Sequence, residues 1–197
     1  MRRFLIALAL LFSAAVLLRP GLAGAAPART EAAIFAGGCF WCVEHDFEKA
    51  PGVLSAVSGY TGGRSSRPTY ENHEGHVEAV KVTFDPARIT YAKLLDGFWR
   101  TIDPTDDTGQ FCDKGSSYRS AIFVSTPEQR RVAEQQRAQL NAAKFKGGIK
   151  TEIRDASTFW PAEAYHQQYA EKNPLRYNLY RTGCGRDARL KAVWGGR

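Results

Sequence analysis

The sequence predicts an α/β fold, an α+β sandwich whose mixed sheet has a ferredoxin-like β-α-β-β-α-β core and is covered by helices. Three observations predict it. Strand-like and helix-like runs follow one another in the order β-α-β-β-α-β-α-β-α, with a tail after the last. The length of 197 residues suits one domain, and no period repeats along it. The composition, 44% apolar and 24% charged, is that of an ordinary globular protein.

The elements follow in order. Ala32 to Phe35 is the first strand. After Gly37-Gly38, Phe40 to Ala50 reads as a helix, because Phe40, Val43 and Phe47 recur at i, i+3 and i+7. Pro51-Gly52 ends it, Val53 to Tyr60 is the second strand, and Thr61 to Pro68 is loop by composition. Val77 to Phe84 is the third strand, with Glu78, Val80, Val82 and Phe84 on one face by period two. Thr90 caps a helix to about Thr101 whose stripe is Leu94, Leu95, Phe98 and Trp99. Asp103 to Gly115 is long and irregular, the kind of segment that carries function in compact domains.

A strand from Tyr118 to Val124 follows. Thr126-Pro127-Glu128-Gln129 then opens a helix to about Lys144. Ile149 to Arg154 is a short strand. Pro161 opens a last helix, which places His166 and Tyr169 at i, i+3 on one face. From Pro174 periodicity is lost, and Cys184 stands in that tail between two glycines.

Residues 1–26 read as a secretory signal peptide. Met1-Arg2-Arg3 is a basic start, Phe4 to Leu18 is an apolar run with a single serine, and Ala23-Gly24-Ala25 offers small residues for cleavage. The run falls short of the roughly 20 residues that span a membrane, and Arg19-Pro20 interrupts it. The expectation is an exported chain, periplasmic or extracellular, with no stable membrane insertion after cleavage and a single catalytic domain over residues 31–197. Cleavage removes Arg2, Arg3 and Arg19 and no acid, so net +7 falls to net +4. That mild charge, without a dense basic run, argues against nucleic acid.

Cys39, Cys42, Cys112 and Cys184 all survive cleavage, and an oxidising compartment permits disulfides. Three complete pairings are open, and a domain of this size does not require any. A four-cysteine zinc site would want more than the one Cys-x-x-Cys present, so no metal is expected.

Cys39 is the first candidate for chemistry. It follows two glycines at a strand-to-helix junction, where first-turn amides and the helix dipole favour a thiolate. Phe40 and Trp41 could wall a pocket beside it, and Cys42 completes a Cys-x-x-Cys that also suits a thioredoxin-like dithiol oxidoreductase. The plain alternative is a buried, inert cysteine. Glu78 is the second candidate: a carboxyl on the apolar face of its strand is pushed toward its neutral form and can act as a general acid. Its plain alternative is a salt-bridged strand-end carboxylate.

Taken together, the motifs resemble the A-type peptide methionine sulfoxide reductases. Gly38-Cys39-Phe40-Trp41 is similar to that family's nucleophile signature. Gly59-Tyr60-Thr61-Gly62-Gly63, Pro68-Thr69-Tyr70 and Gly75-His76-Val77-Glu78-Ala79-Val80 match the next blocks in order. Asp103-Pro104-Thr105, Asp113, Gly115, Tyr118-Arg119-Ser120-Ala121-Ile122, Ala164-Tyr165-His166-Gln167-Gln168-Tyr169 and Lys172-Asn173-Pro174 complete the series. The resemblance runs from Ile34 to Pro174.

It implies reduction of the S epimer of methionine sulfoxide, in proteins, in peptides and free, by a monomer without a cofactor. Cys39 would attack sulfur, and Glu78 would protonate the oxygen with help from Tyr70 and Tyr118. Phe40 and Trp41 would hold the S-methyl group, and Asp113, His166 and Tyr169 would line or support the site. Cys39 would become a sulfenic acid, condense with a second thiol and be restored by a thioredoxin-type dithiol. For that second thiol Cys184 is favoured, because a glycine-flanked cysteine on a tail can swing inward; Cys42 and Cys112 are the alternatives.

Overall fold

The computed structural model describes residues 29–195, so the expected signal peptide lies outside the described residues. Its strands are β1 (Glu31–Ala36), β2 (Val53–Thr61), β3 (Val77–Phe84), β4 (Gly109–Gln110), β5 (Asp113–Lys114), β6 (Ala121–Val124), β7 (Glu152–Asp155) and β8 (Trp160–Pro161). Its helices are α1 (Phe40–Glu48), α2 (Tyr91–Trp99), α3 (Pro127–Leu140), α4 (Tyr169–Lys172), α5 (Pro174–Gly183) and α6 (Arg186–Trp194).

Six strands form one sheet in the order β7-β6-β1-β3-β2-β8. Only β6 and β7 run parallel; the other neighbours are antiparallel. The inner four, β6-β1-β3-β2, have the strand order of the split β-α-β-β-α-β arrangement, so the expected mixed sheet with a ferredoxin-like core is present.

The period-two pattern of β3 sorts its residues between two cores. Val80, Val82 and Phe84 join Phe35, Val43, Phe47, Leu94, Leu95, Phe98 and Trp99 in the core shared with α1 and α2. Val77 and Ala79 belong to a smaller cluster with Ile34, Ala36, Ala121 and Phe123. Phe35 stacks between Phe47 at 5.2 Å and Phe98 at 4.7 Å, tying both helices to the central strand. Complete burial of such a ring contributes about 1.5–3 kcal/mol. Thr90 and Thr126 cap α2 and α3 by accepting from Lys93 N–H and Gln129 N–H, as their positions predict.

Three expectations are corrected. Pro161 does not open a helix. It lies in β8, residues 164–168 form turns, and only Tyr169–Lys172 is helical. Tertiary bonds override the local pattern there: Gln167 grips the Ser58 main chain in both directions, at 3.0 and 2.9 Å, and Gln168 takes φ 55°. The tail after Pro174 is not irregular but forms α5 and α6, which bury only Tyr177 and Arg186 respectively. A helix that buries one side chain leaves no apolar stripe to read. Finally, Tyr118 ends a 3₁₀ turn, Ser116–Tyr118, and the strand begins at Ala121.

Candidate active site

The site forms where β1 ends. Ala36 leads into Gly37 and Gly38, and Cys39 is the N-cap of α1. The turn demands glycine at position 38, where φ is +81° and a Cβ would lie 2.6 Å from the Gln110 Cβ. Gln110 is itself fixed, exchanging two 2.8 Å bonds with the Asp103 main chain.

Glu78 enters from β3, opposite Tyr60 of β2. It is 2% exposed, and its Oε2 accepts the Phe40 N–H at 2.9 Å. Burial pushes its pKa up to about 8, with Asp113 and Cys42 adding to the shift and the Phe40 bond opposing it. At neutral pH Glu78 therefore holds its proton, as the strand alternation predicts.

The expected depression of the Cys39 thiol is not found. Its pKa is raised, first by burial, then by a hydrogen bond with Cys42 and the charge of Glu78. The physical reason is visible in the cap: the Phe40 amide that could have favoured a thiolate is given to Glu78 instead. Cys42 is lowered, chiefly by the Cys39 bond and then by Arg186 and Arg181, against its own burial. The two thiols form one titrating pair. The first negative charge falls on Cys42, which faces the guanidinium groups.

Trp41 is held on three sides. It stacks on Tyr169 at 3.8 Å with 7° between planes, meets Tyr180 edge-on at 5.9 Å, and donates from Nε1 to His166 Nδ1 at 3.0 Å. His166 is buried and its pKa is lowered by that burial, so it is the neutral acceptor this bond requires. Phe40 packs against His166 at 4.9 Å and Tyr60 at 5.8 Å. A pocket of about 440 Å³ opens here, lined by Trp41, Tyr70, Tyr165, His166, Tyr169, Arg176 and Tyr180. Tyr70 and Tyr118 are neighbours, and both phenols are raised by burial and by Glu78. The Tyr70 backbone is pinned from the far side, its N–H donating to Glu163 at 2.9 Å.

The ten predicted site residues thus gather around one pocket, the acid behind it and the loop that carries Asp113, whose carboxylate lies within 4.8 Å of the Cys184 sulfur. Cys184 differs from its expected state, not its place. It is bonded to Cys112, while Cys39 and Cys42 are the free thiols. Because α5 and α6 fold against the body, the tail that was expected to swing is fastened instead.

Two residues were missed. Tyr180 donates to Asp113 Oδ2 at 2.5 Å and stands close enough to Cys39 to lower its thiol pKa in part, against the larger effect of burial. Arg186 is 1% exposed, lies over the Phe111 ring at 4.4 Å and donates to the carbonyls of Gly37 and Thr101. Reading the tail as helix would have placed Tyr180 one turn before Cys184, which was the available signal.

A nucleophile-bearing helix cap, a neutral carboxylic acid and paired phenols around an aromatic pocket define a thiol-dependent oxidoreductase. Comparison with known proteins narrows this. The family model described as peptide methionine sulfoxide reductase matches residues 31–197. A Caulobacter vibrioides protein, "Peptide methionine sulfoxide reductase MsrA 2", is 54% identical over 201 residues, with 100% of both chains covered. Methionine sulfoxide reductase A of Corynebacterium diphtheriae superposes with a TM-score of 0.66 at 34% identity, covering 77% of this chain and 78% of that one. Reduced Mxr1 from Saccharomyces cerevisiae gives 0.68 at 30%, covering 76% and 88%. The same yeast protein solved in complex with Trx2 gives 0.51 at 24%, covering 74% and 88%. The chain belongs to the peptide methionine sulfoxide reductase family.

Proposed function

We propose that this chain reduces the S epimer of methionine sulfoxide, peptide-bound and free, to methionine. The observation that carries the reading is a buried Glu78, with its pKa near 8, bound to the first helical amide beside Cys39. A sulfoxide oxygen leaves poorly, so attack on sulfur needs a proton delivered to the oxygen at the same time. Glu78 holds that proton at neutral pH, and the Tyr70–Tyr118 pair supports the oxygen as it gains charge. Phe40 and the braced Trp41 supply apolar surface for the methyl group.

Oxygen passes from the substrate sulfur to Cys39, which becomes a sulfenic acid. A second thiol then attacks it and releases water. Cys42 takes that role in this reading, because it is the free thiol next to Cys39, whereas Cys184 is joined to Cys112. A thioredoxin-type dithiol would reopen the new disulfide, a step supported by the complex of the yeast relative with Trx2. Peptide mapping after one turnover without reductant should give a Cys39–Cys42 linkage; a Cys39–Cys184 linkage would contradict it. Cys42→Ser should keep the first turnover and lose the later ones. A thioredoxin-like dithiol oxidoreductase would instead lose nearly all activity.

Export belongs to the same proposal. The basic start, apolar run and small-residue site in residues 1–26 support a secreted, repair-type enzyme. Intact mass of the exported chain should lack those residues, and a mass that retains them would overturn the cleavage.

A further inference from the structure

We propose that Arg176 makes the pocket selective for methionine sulfoxide with a carboxylate beside it, from an acidic neighbouring residue or from the substrate's own C-terminus. The assignment rests on the sulfoxide reductase reading given above. It makes Arg176 a specificity residue that meets the substrate away from the reacting atoms.

Among the described side chains that line the pocket, Arg176 alone is charged: the others are one Trp, four Tyr and His166, which burial keeps neutral. Arg176 stands on α5 one turn before Tyr180, whose ring meets Trp41 edge-on, so the helix carries the guanidinium to the same mouth. It is exposed, and among the described residues its side chain takes part in no ion pair or hydrogen bond. The neighbouring cations are all engaged. Arg181 holds Asp46 at 2.9 Å and Asp187 at 2.7 Å, and Arg189 holds Asp103 at 2.6 Å. Arg186 and Lys172 donate to the carbonyls of Thr101 and Gln167, both at 2.7 Å.

The chemistry of the substrate says what this free charge meets. A sulfoxide is neutral, and Phe40 and Trp41 touch only its methyl group. The residues on either side of the methionine lie over the pocket mouth, where Tyr165 is 59% exposed and Tyr70 39%. The anion a polypeptide offers there is a carboxylate, from Asp, Glu or the chain end. A guanidinium meets it with two parallel N–H···O bonds, a fit that the point charge of a lysine lacks. The wall made by Tyr70 and Tyr165 has the opposite sign. Glu163 accepts the Tyr70 N–H at 2.9 Å, and the charges of Glu163 and Glu71 both act on the Tyr165 phenol. A carboxylate is drawn toward α5 and turned away from that wall, and a cationic neighbour meets the reverse.

Peptides reduced by the full exported chain test this. Blocked peptides of one sequence place Glu, Gln or Lys beside a methionine S-sulfoxide, before it or after it. A second pair ends on the sulfoxide residue itself, as the free acid and as the amide. For the wild type, the carboxylate peptide should have a KM about three- to fivefold below its neutral counterpart, the scale of one exposed ion pair. Its kcat should be the same, and the Lys peptide should have the highest KM. Roughly 1 M sodium chloride should remove most of the difference. A gain confined to the free acid would assign the site to chain ends, and one confined to Glu peptides to internal acidic neighbours. Arg176→Gln should bring the ratio to one. Arg176→Glu should invert it in favour of Lys, an inversion that misfolding could not produce. Equal KM values across the wild-type series, or a carboxylate preference that persists in Arg176→Gln, would overturn the assignment. The same ratios are read as dissociation constants with Cys39→Ser, which cannot turn over. A wild-type chain that reduces none of the peptides would overturn the functional reading instead. Those constants would still decide Arg176, and no difference among them would overturn it.

Discussion

At the scale of single residues, Glu78 joins function to a cost in stability. Its pKa rises from 4.5 to about 8 on folding, so the folded state keeps a proton that the unfolded chain releases. Stability from this group is full below about pH 4.5 and is lost as pH rises through about 8. Glu44, buried between Ser58 and Gln168 and raised to about 7, acts with the same sign. The melting temperature should therefore fall between pH 5 and pH 9, and Glu78→Gln should flatten part of that fall. Equal slopes in the two proteins would show that Glu78 is not buried as an acid. Activity follows the same proton: first turnover should decline above pH 8, and Glu78→Gln should slow it by about 10²–10⁴-fold, the usual worth of a general acid.

At the scale of elements, the junction between β1 and α1 sets the geometry of the nucleophile. Gly38→Ala would place a β-carbon at φ +81° and against Gln110, which anchors Asp103. A loss of about 1–3 kcal/mol is expected. It should appear as a lower urea midpoint with an unchanged slope, and an unchanged midpoint would contradict the tight turn. This junction was legible in the sequence, because Gly-Gly-Cys between a strand and an amphipathic run admits few conformations. Glu78 was legible too, since period two assigns it to the face of Val80, Val82 and Phe84. The ionisation of Cys39 was not, because it depends on which side chain claims the Phe40 amide, a contact 38 residues away. The Pro161 region misled for a similar reason: its path follows the Gln167 bridge to Ser58, 109 residues distant. In the tail, helices that bury only Tyr177 and Arg186 gave no periodic signal, and Tyr180 was hidden with them.

At the scale of the whole molecule, the chain closes on itself through its last two helices. The Cys112–Cys184 bond spans 72 residues, Arg186 reaches the Gly37 carbonyl, and Trp194 donates to the Ile102 carbonyl at 2.9 Å. Together they fasten the C-terminal end against the nucleophile turn and the loop that carries Asp113. Replacing both Cys112 and Cys184 by serine should lower stability by about 2–5 kcal/mol, read by urea unfolding. No loss would show that the other contacts suffice to hold α5 and α6.

The most direct test of the account is a single-turnover assay with resolved sulfoxide epimers and no reductant. The account predicts about one methionine formed per chain from the S epimer, little or none from the R epimer, and none from either with Cys39→Ser. Methionine formed equally from both epimers, or persisting in Cys39→Ser, would contradict it.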